Sequence, residues 1–374
     1  MRRRPRMILL LAALCLAGTP TVQATAPPTS ADSAALNRAN PVEAIPESPL
    51  GISGELRELP APPTPERVRL GRWLFFDSRL SADGTVACAT CHRSENAFSE
   101  PTPVSTGIRG QKGSRKAPSF VNLAWAIYPH FFWDGRASSL EEQAGGPLIN
   151  PIEMGFKNHD AAIAALSTVT GYKPFFKEAY GDDAITIERV THAIADYERT
   201  RLSGNSAWDR WQAEPDTGDL GDDKGFKDGK YVSAQVKRGY ALFQGKAACN
   251  QCHLGDNFSD SRFHNLGVGY DAKTGSFADE GRYAISGDKA DMGAFKTPGL
   301  RDLTKRSPYM HDGSHATLRE VVQLYNRGGN PNPTLSPKIK PLGLTDKEVD
   351  AIVAFLQSLD GEGYEDTAPA LFPE

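Results

Sequence analysis

Cysteine is scarce in this chain, five residues in 374, so a regular spacing among them is hard to attribute to chance. Basic runs are missing once the N-terminus is passed, and the net charge is only −4; nucleic acid is therefore not an implied partner. Long apolar runs are missing too. The one candidate, Met7 to Gly18, is too short to span a bilayer, and no second segment is apolar enough to try.

Four of the five cysteines fall in two copies of Cys-x-x-Cys-His, CATCH at Cys88, Cys91 and His92 and CNQCH at Cys249, Cys252 and His253. Each copy suits covalent c-type haem: two thiols reach the two vinyl groups of one porphyrin, and the adjacent histidine lies under the iron as an axial ligand. A four-cysteine zinc site or a pair of disulfides would use the same thiols. Neither requires a histidine at the same offset in both copies. The residues therefore read as a di-haem c-type cytochrome with two covalent haem c groups, whose irons are held by His92 and His253.

The N-terminus fits that chemistry. Arg2 to Arg4 and Arg6 form a basic region before the apolar stretch, and Val22-Gln23-Ala24 is a small-residue cleavage site. Residues 1–24 are thus expected to be an export signal, and the mature protein to be periplasmic. Cys15 would leave with the signal. Residues 25–63, rich in Pro, Ala, Ser and Glu without apolar periodicity, are expected as a flexible leader.

The rest of the chain is too long for one small cytochrome and suits two domains. Val68, Gly71, Leu74 and Phe75 recur at identical spacing as Val236, Gly239, Leu242 and Phe243, each set shortly before a haem motif. Ala193, Ile194 and Tyr197 recur as Ala351, Ile352 and Phe355. Both spacings are helical. Thr345 and Glu348 form a capping box that starts the last helix. The expected fold is mainly α: two cytochrome c-like domains at 64–215 and 231–362, each with a crossed pair of terminal helices around one haem. A polar, Gly- and Asp-rich linker at 216–230 joins them, and 363–374 is a tail.

A haem with two strong axial ligands carries electrons, whereas one with an open position can do chemistry. What stands opposite His92 and His253 therefore decides the function. Spacing alone makes Met310 the first candidate for the second haem.

The runs LGRWLFFDSRLS (70–81), FWDGRASSLEEQAGGPLINPIEMG (132–155) and FKTPGLRDLTKRSPYMHDGS (295–314) resemble the bacterial di-haem cytochrome c peroxidase family, which includes MauG. The likeness extends from about Glu66 to Asp360. It implies that the first haem is peroxidatic and that Trp133 of FWDGR relays electrons between the haems. It also implies that Gln143 and Glu153 line the distal pocket. A carboxylate there can take the first proton of bound peroxide and return it to the leaving oxygen, while Gln143 orients the peroxide.

Three positions depart from the better-known peroxidases. Where many carry a histidine that caps the peroxidatic iron, this chain has Ile108, which cannot ligate, so the first haem is expected to stay open; His130 and His159 lie outside the matching loop. Where those peroxidases place a methionine on the second haem, this chain has Tyr325, as MauG does, and a hard tyrosinate favours the oxidised iron. Family members bind calcium between the domains through an asparagine, and here that position is Lys116. Its ammonium is expected to take the cation's place on the carbonyls near PYMHDG, so calcium binding is in doubt.

The resemblance implies a periplasmic, MauG-like peroxidase that uses hydrogen peroxide to reach a high-valent haem state. It would then oxidise a small redox protein, a cytochrome c or a cupredoxin, or the side chains of a protein substrate. The reading from a different class is a di-haem electron-transfer cytochrome without peroxide chemistry. Monomer and homodimer both remain open.

Overall fold

The computed structural model describes residues 33–124, 130–215 and 226–374; the expected signal at 1–24 and residues 216–225 of the expected linker lie outside them. The fold is mainly α. In the first half the helices are α1 (Ser33–Ala39), α2 (Pro65–Phe76), α3 (Cys88–Cys91), α4 (Leu140–Ile149), α5 (His159–Ser167), α6 (Lys173–Tyr180) and α7 (Ile187–Arg199). In the second they are α8 (Ala207–Gln212), α9 (Ala234–Gln244), α10 (Tyr283–Ser286), α11 (Leu318–Asn326) and α12 (Asp346–Gln357). Two small antiparallel pairs complete it: β1 (Phe263–Asn265) with β4 (Ala294–Lys296), and β2 (Tyr270–Asp271) with β3 (Ser276–Phe277).

The start of each long helix follows from its sequence. Thr64 caps α2 with Pro65 in the first turn, Thr186 caps α7 and Ser233 caps α9. In α12 the Thr345 hydroxyl accepts from Glu348 N and the Glu348 carboxylate accepts from Thr345 N at 2.7 Å, the reciprocal box that the sequence predicts.

In both halves the first and last of these helices cross at a glycine. A Cβ on Gly71 would run into the Ala193 carbonyl, and a Cβ on Gly239 would run into the Ala351 carbonyl. These glycines serve close backbone approach rather than a turn. Around the first crossing lie Trp73, Phe75, Phe98, Tyr172 and Tyr197; around the second lie Trp208, Phe243, Phe258 and Phe355. Each large apolar side chain buried here contributes about 1.5–3 kcal/mol relative to exposure.

The halves are clamped directly. Arg115 donates from Nη1 to Asp134 at 2.5 Å and from Nε and Nη2 to Asp279 at 2.6 and 2.8 Å. Arg282 Nη1 reaches back to the Asp134 and Gly135 carbonyls.

The expected flexible leader needs correction from Ser33 onward. Leu36 on α1 is buried in the first core, Asn40 Nδ2 donates to the Arg69 carbonyl at 2.9 Å, and Leu56 is buried with Ala124 and Leu202. Further along, the Gly51 carbonyl accepts from Arg301 of the second half at 2.9 Å. The segment is held by isolated anchors rather than by one continuous face, so it carries no period. Residues 363–374, expected as a tail, pack back onto the first half. Tyr364 is buried in the first core, Arg72 pairs with Asp366 at 2.8 Å, and Trp73 Nε1 donates to the Leu371 carbonyl at 2.9 Å.

Candidate active site

Both Cys-x-x-Cys-His motifs set their histidine by the same device. The His92 backbone N–H closes a turn on the Cys88 carbonyl at 2.9 Å, and its ring Nδ1–H donates to the Phe98 carbonyl at 2.9 Å. In the second motif His253 N–H closes on Cys249 and Nδ1–H donates to the Phe258 carbonyl, both at 2.9 Å. Phe98 and Phe258 each adopt a left-handed backbone, φ 51° and 52°. The bond at Nδ1 fixes ring and tautomer and leaves Nε2 free to bind iron. Burial pulls both histidines down from their ordinary pKa, keeping them in the neutral, ligating form.

All four thiols are free, and burial raises their pKa, to about 11 for Cys91 and about 12 for Cys249. They flank one cavity of about 700 Å³ that runs from the first motif to the second, with Val121, Leu123, Leu140 and Ile194 on one side and Leu300, Val322, Leu344 and Ile352 on the other. Free thiol pairs, oriented imidazoles and an apolar lining fit two covalent haem c groups. A zinc site would have gathered the four thiols together.

The cavity also collects the expected catalytic residues. Gln143 stands on α4, which Ser139 caps, and lines the cavity together with the first haem motif. Glu153 lies in the loop after α4, where its Oε1 accepts from Asn150 Nδ2 at 2.9 Å. Burial raises the Glu153 pKa, and Arg136 partly offsets that rise. Trp133 stands at the seam: its Nε1 donates to the Lys116 carbonyl and its own carbonyl accepts from Lys296 N of the second half, each at 2.8 Å. Its ring meets His311 edge-on with centroids 6.4 Å apart.

Comparison with known proteins agrees with this geometry. Residues 65–217 match the family model described as di-haem cytochrome c peroxidase, and residues 236–360 match that of cytochrome c. The chain is 40% identical over 311 residues to the methylamine utilization protein MauG of Methylorubrum extorquens, covering 83% of this chain and 82% of that protein. The chain belongs to the di-haem cytochrome c peroxidase family. Another relative, the cytochrome c551 peroxidase of Nitrosomonas europaea, is 35% identical over 312 residues, covering 83% of this chain and 85% of that one. Among solved structures, a MauG-like protein associated with microbial copper homeostasis superposes with a TM-score of 0.71 at 30% identity, over 86% of this chain and 95% of that one. This family member is therefore an oxidoreductase that carries two covalent haem c groups.

The three departures take definite positions in this peroxidase-family chain. Ile108 is buried, packs its side chain towards Gly155, and donates its backbone N–H to the Glu153 carbonyl at 2.9 Å. Neither His130 nor His159 lines the cavity; the His159 ring is bonded to the Gly145 carbonyl at 3.0 Å.

On the second haem's side both Tyr325 and Met310 line the cavity. The Tyr325 phenol is pushed above its ordinary pKa, first by burial and then by Cys249 and Cys252, so it stands close to both attachment thiols. Met310 sits in a left-handed turn, φ 74°, beside His311.

Lys116 corrects its expectation in part. Its ammonium is bonded to the Glu100 carbonyl and lies 3.4 Å from that of Thr102, both in the first half. Only its backbone N–H reaches PYMHDG, at the His311 carbonyl, 2.7 Å away. Burial lowers the pKa of this ammonium, and Glu100, on the side to which it turns, partly offsets that fall.

One cavity residue was missed from the sequence. Glu198 on α7 is buried against the first haem motif. Its signal was a break in the repeat, where Leu356 is the counterpart.

Proposed function

We propose that this chain is a periplasmic, MauG-like peroxidase that reacts with hydrogen peroxide while fully ferric, without prior reduction. The observation that carries the reading is Ile108: at the sequence position where the better-known peroxidases carry a capping histidine, this chain has a buried apolar side chain packed against Gly155, with no atom that could ligate iron. The haems, when bound, supply the iron that meets peroxide and the sites that retain its two oxidising equivalents in a high-valent state.

The chain's own residues do the rest. Glu153, its proton affinity raised by burial, takes a proton from the near oxygen of peroxide and returns it to the far one, which leaves as water. Gln143 orients the peroxide by hydrogen bonding. Trp133, bonded to both halves, passes one oxidising equivalent across the seam. Tyr325, which lines the second half of the cavity, would help His253 hold the second haem and, as a phenolate, would favour its oxidised form. Two electrons and two protons then complete the conversion of peroxide to two waters. The electrons come from a small periplasmic cytochrome c or cupredoxin, or from the side chains of a docked protein.

An electron-transfer cytochrome would need a second strong ligand on the first iron, and no histidine from the matching loop is there to give it. Rapid mixing of the fully ferric, haem-loaded protein with one equivalent of peroxide tests the proposal. An immediate change in the Soret band without added reductant supports it; a spectrum that changes only after reduction sinks it.

The periplasmic placement rests on the N-terminal segment. No helix among the described residues is long and apolar enough to cross a membrane.

The interdomain calcium of the family does not fit this chain. Lys116 has no ligand oxygen on its side chain, and it stands where the family's asparagine supplies one. Burial lowers the Lys116 pKa to about 8, yet at neutral pH most of the ammonium keeps its charge. Dialysed protein is expected to hold no stoichiometric calcium, and chelator to leave the haem spectra unchanged. One tightly held calcium per chain by metal analysis would refute this.

A further inference from the structure

Helices α7 and α12 take equivalent places in the two halves, and their repeat breaks at one inward position. After Ala193, Ile194 and Tyr197 comes Glu198; after Ala351, Ile352 and Phe355 comes Leu356. Both residues are buried and both line the haem cavity. The fold thus accepts a leucine at this place, and packing gives no reason for an acid.

Glu198 is 5% exposed, and its Oε2 has no hydrogen-bond partner. The charged and titratable groups that face it are Arg199 on its own helix, Glu141 on α4 and Cys88. Arg199 is committed elsewhere, holding Asp196 at 3.0 Å and Glu141 at 2.6 Å. Cys88 loses its titratable proton once its sulfur becomes a haem thioether. Burial pushes the Glu198 pKa up to about 8, Arg199 offsetting only part of that rise. At neutral pH it therefore holds a proton that a nearby positive charge can expel.

We propose that Glu198 is the protonation partner of the first haem: its carboxyl releases one proton when that haem loses one electron, and takes one back when the electron returns. The electron passes to or from the redox partner, and the proton to or from solvent. Charge in the first half of the cavity is thereby kept nearly constant, which lowers the potential of the first haem as protons become scarcer. The second haem, with Leu356 at the equivalent place, has no such partner and serves as the internal reference. The inference rests on haem attachment at Cys88 and Cys91 and not on the reaction with peroxide.

Spectroelectrochemical titration of the haem-loaded protein across neutral pH tests it. The midpoint of the first haem is expected to fall by up to about 59 mV per pH unit, a tenfold change in proton activity converted for a one-electron couple. In Glu198→Gln that slope disappears while the second haem's behaviour is unchanged. Glu198→Leu, which copies Leu356, gives the same result and carries the test if the glutamine variant loads haem poorly. A pH-independent first midpoint in the wild type, or a slope that survives in either variant, overturns the proposal. Ferric protein inert towards peroxide would defeat the peroxidase reading and leave these slopes in place.

Discussion

Replacement of Glu153 by Gln is expected to slow the reaction of ferric protein with hydrogen peroxide by about 10²–10⁴-fold, the usual contribution of a positioned acid–base group. Glutamine keeps the shape and can still accept from Asn150, which holds the native carboxylate at 2.9 Å, so both haems should remain attached. Only proton transfer is removed. The pH dependence is a second signature. Burial raises the Glu153 pKa, so the wild-type rate should fall as pH drops through a value above the usual carboxylate range, where the base becomes protonated. That limb should be absent in the variant. Stopped-flow absorbance at varied peroxide and pH checks both. A variant as fast as the wild type would remove Glu153 from the chemistry.

Exchange of Tyr325 for Met should act on the other haem. Axial ligands set haem potentials over a range of about 0.8 V, and thioether sulfur favours the reduced iron where phenolate favours the oxidised one. The second haem's midpoint is expected to rise by on the order of a few tenths of a volt, and the oxidised state formed with peroxide should decay faster because its second storage site is lost. Redox titration and the lifetime of the peroxide-induced spectrum measure the two effects. If Met310 were the native ligand, Tyr325→Met would leave that midpoint nearly unchanged, and Met310→Leu would move it instead.

Much of this was legible in the residues. CATCH and CNQCH named the cofactor because c-type attachment needs a local arrangement of two thiols and one imidazole. Gly71 and Gly239, with their repeated apolar neighbours, marked helix crossings that meet at the Ala193 and Ala351 carbonyls. The segment after Ser33 was misread, because Leu36, Asn40, Gly51 and Leu56 act as separate anchors and leave no period to detect. The Lys116 ammonium meets the Glu100 carbonyl, a partner that only the folded chain brings near. Glu198 is not marked by the repeat itself, because it stands one residue beyond the matched Tyr197 and Phe355, where the two halves differ.

Low-temperature EPR of the fully ferric, haem-loaded protein, before and after one equivalent of hydrogen peroxide, tests the central claim most directly. The account predicts a high-spin signal from a first haem left open by Ile108, beside a low-spin signal from a second haem held by His253 and Tyr325, with both lost on peroxide addition. Two low-spin signals indifferent to peroxide would contradict it, and would make the chain an electron carrier or a peroxidase that must first be reduced.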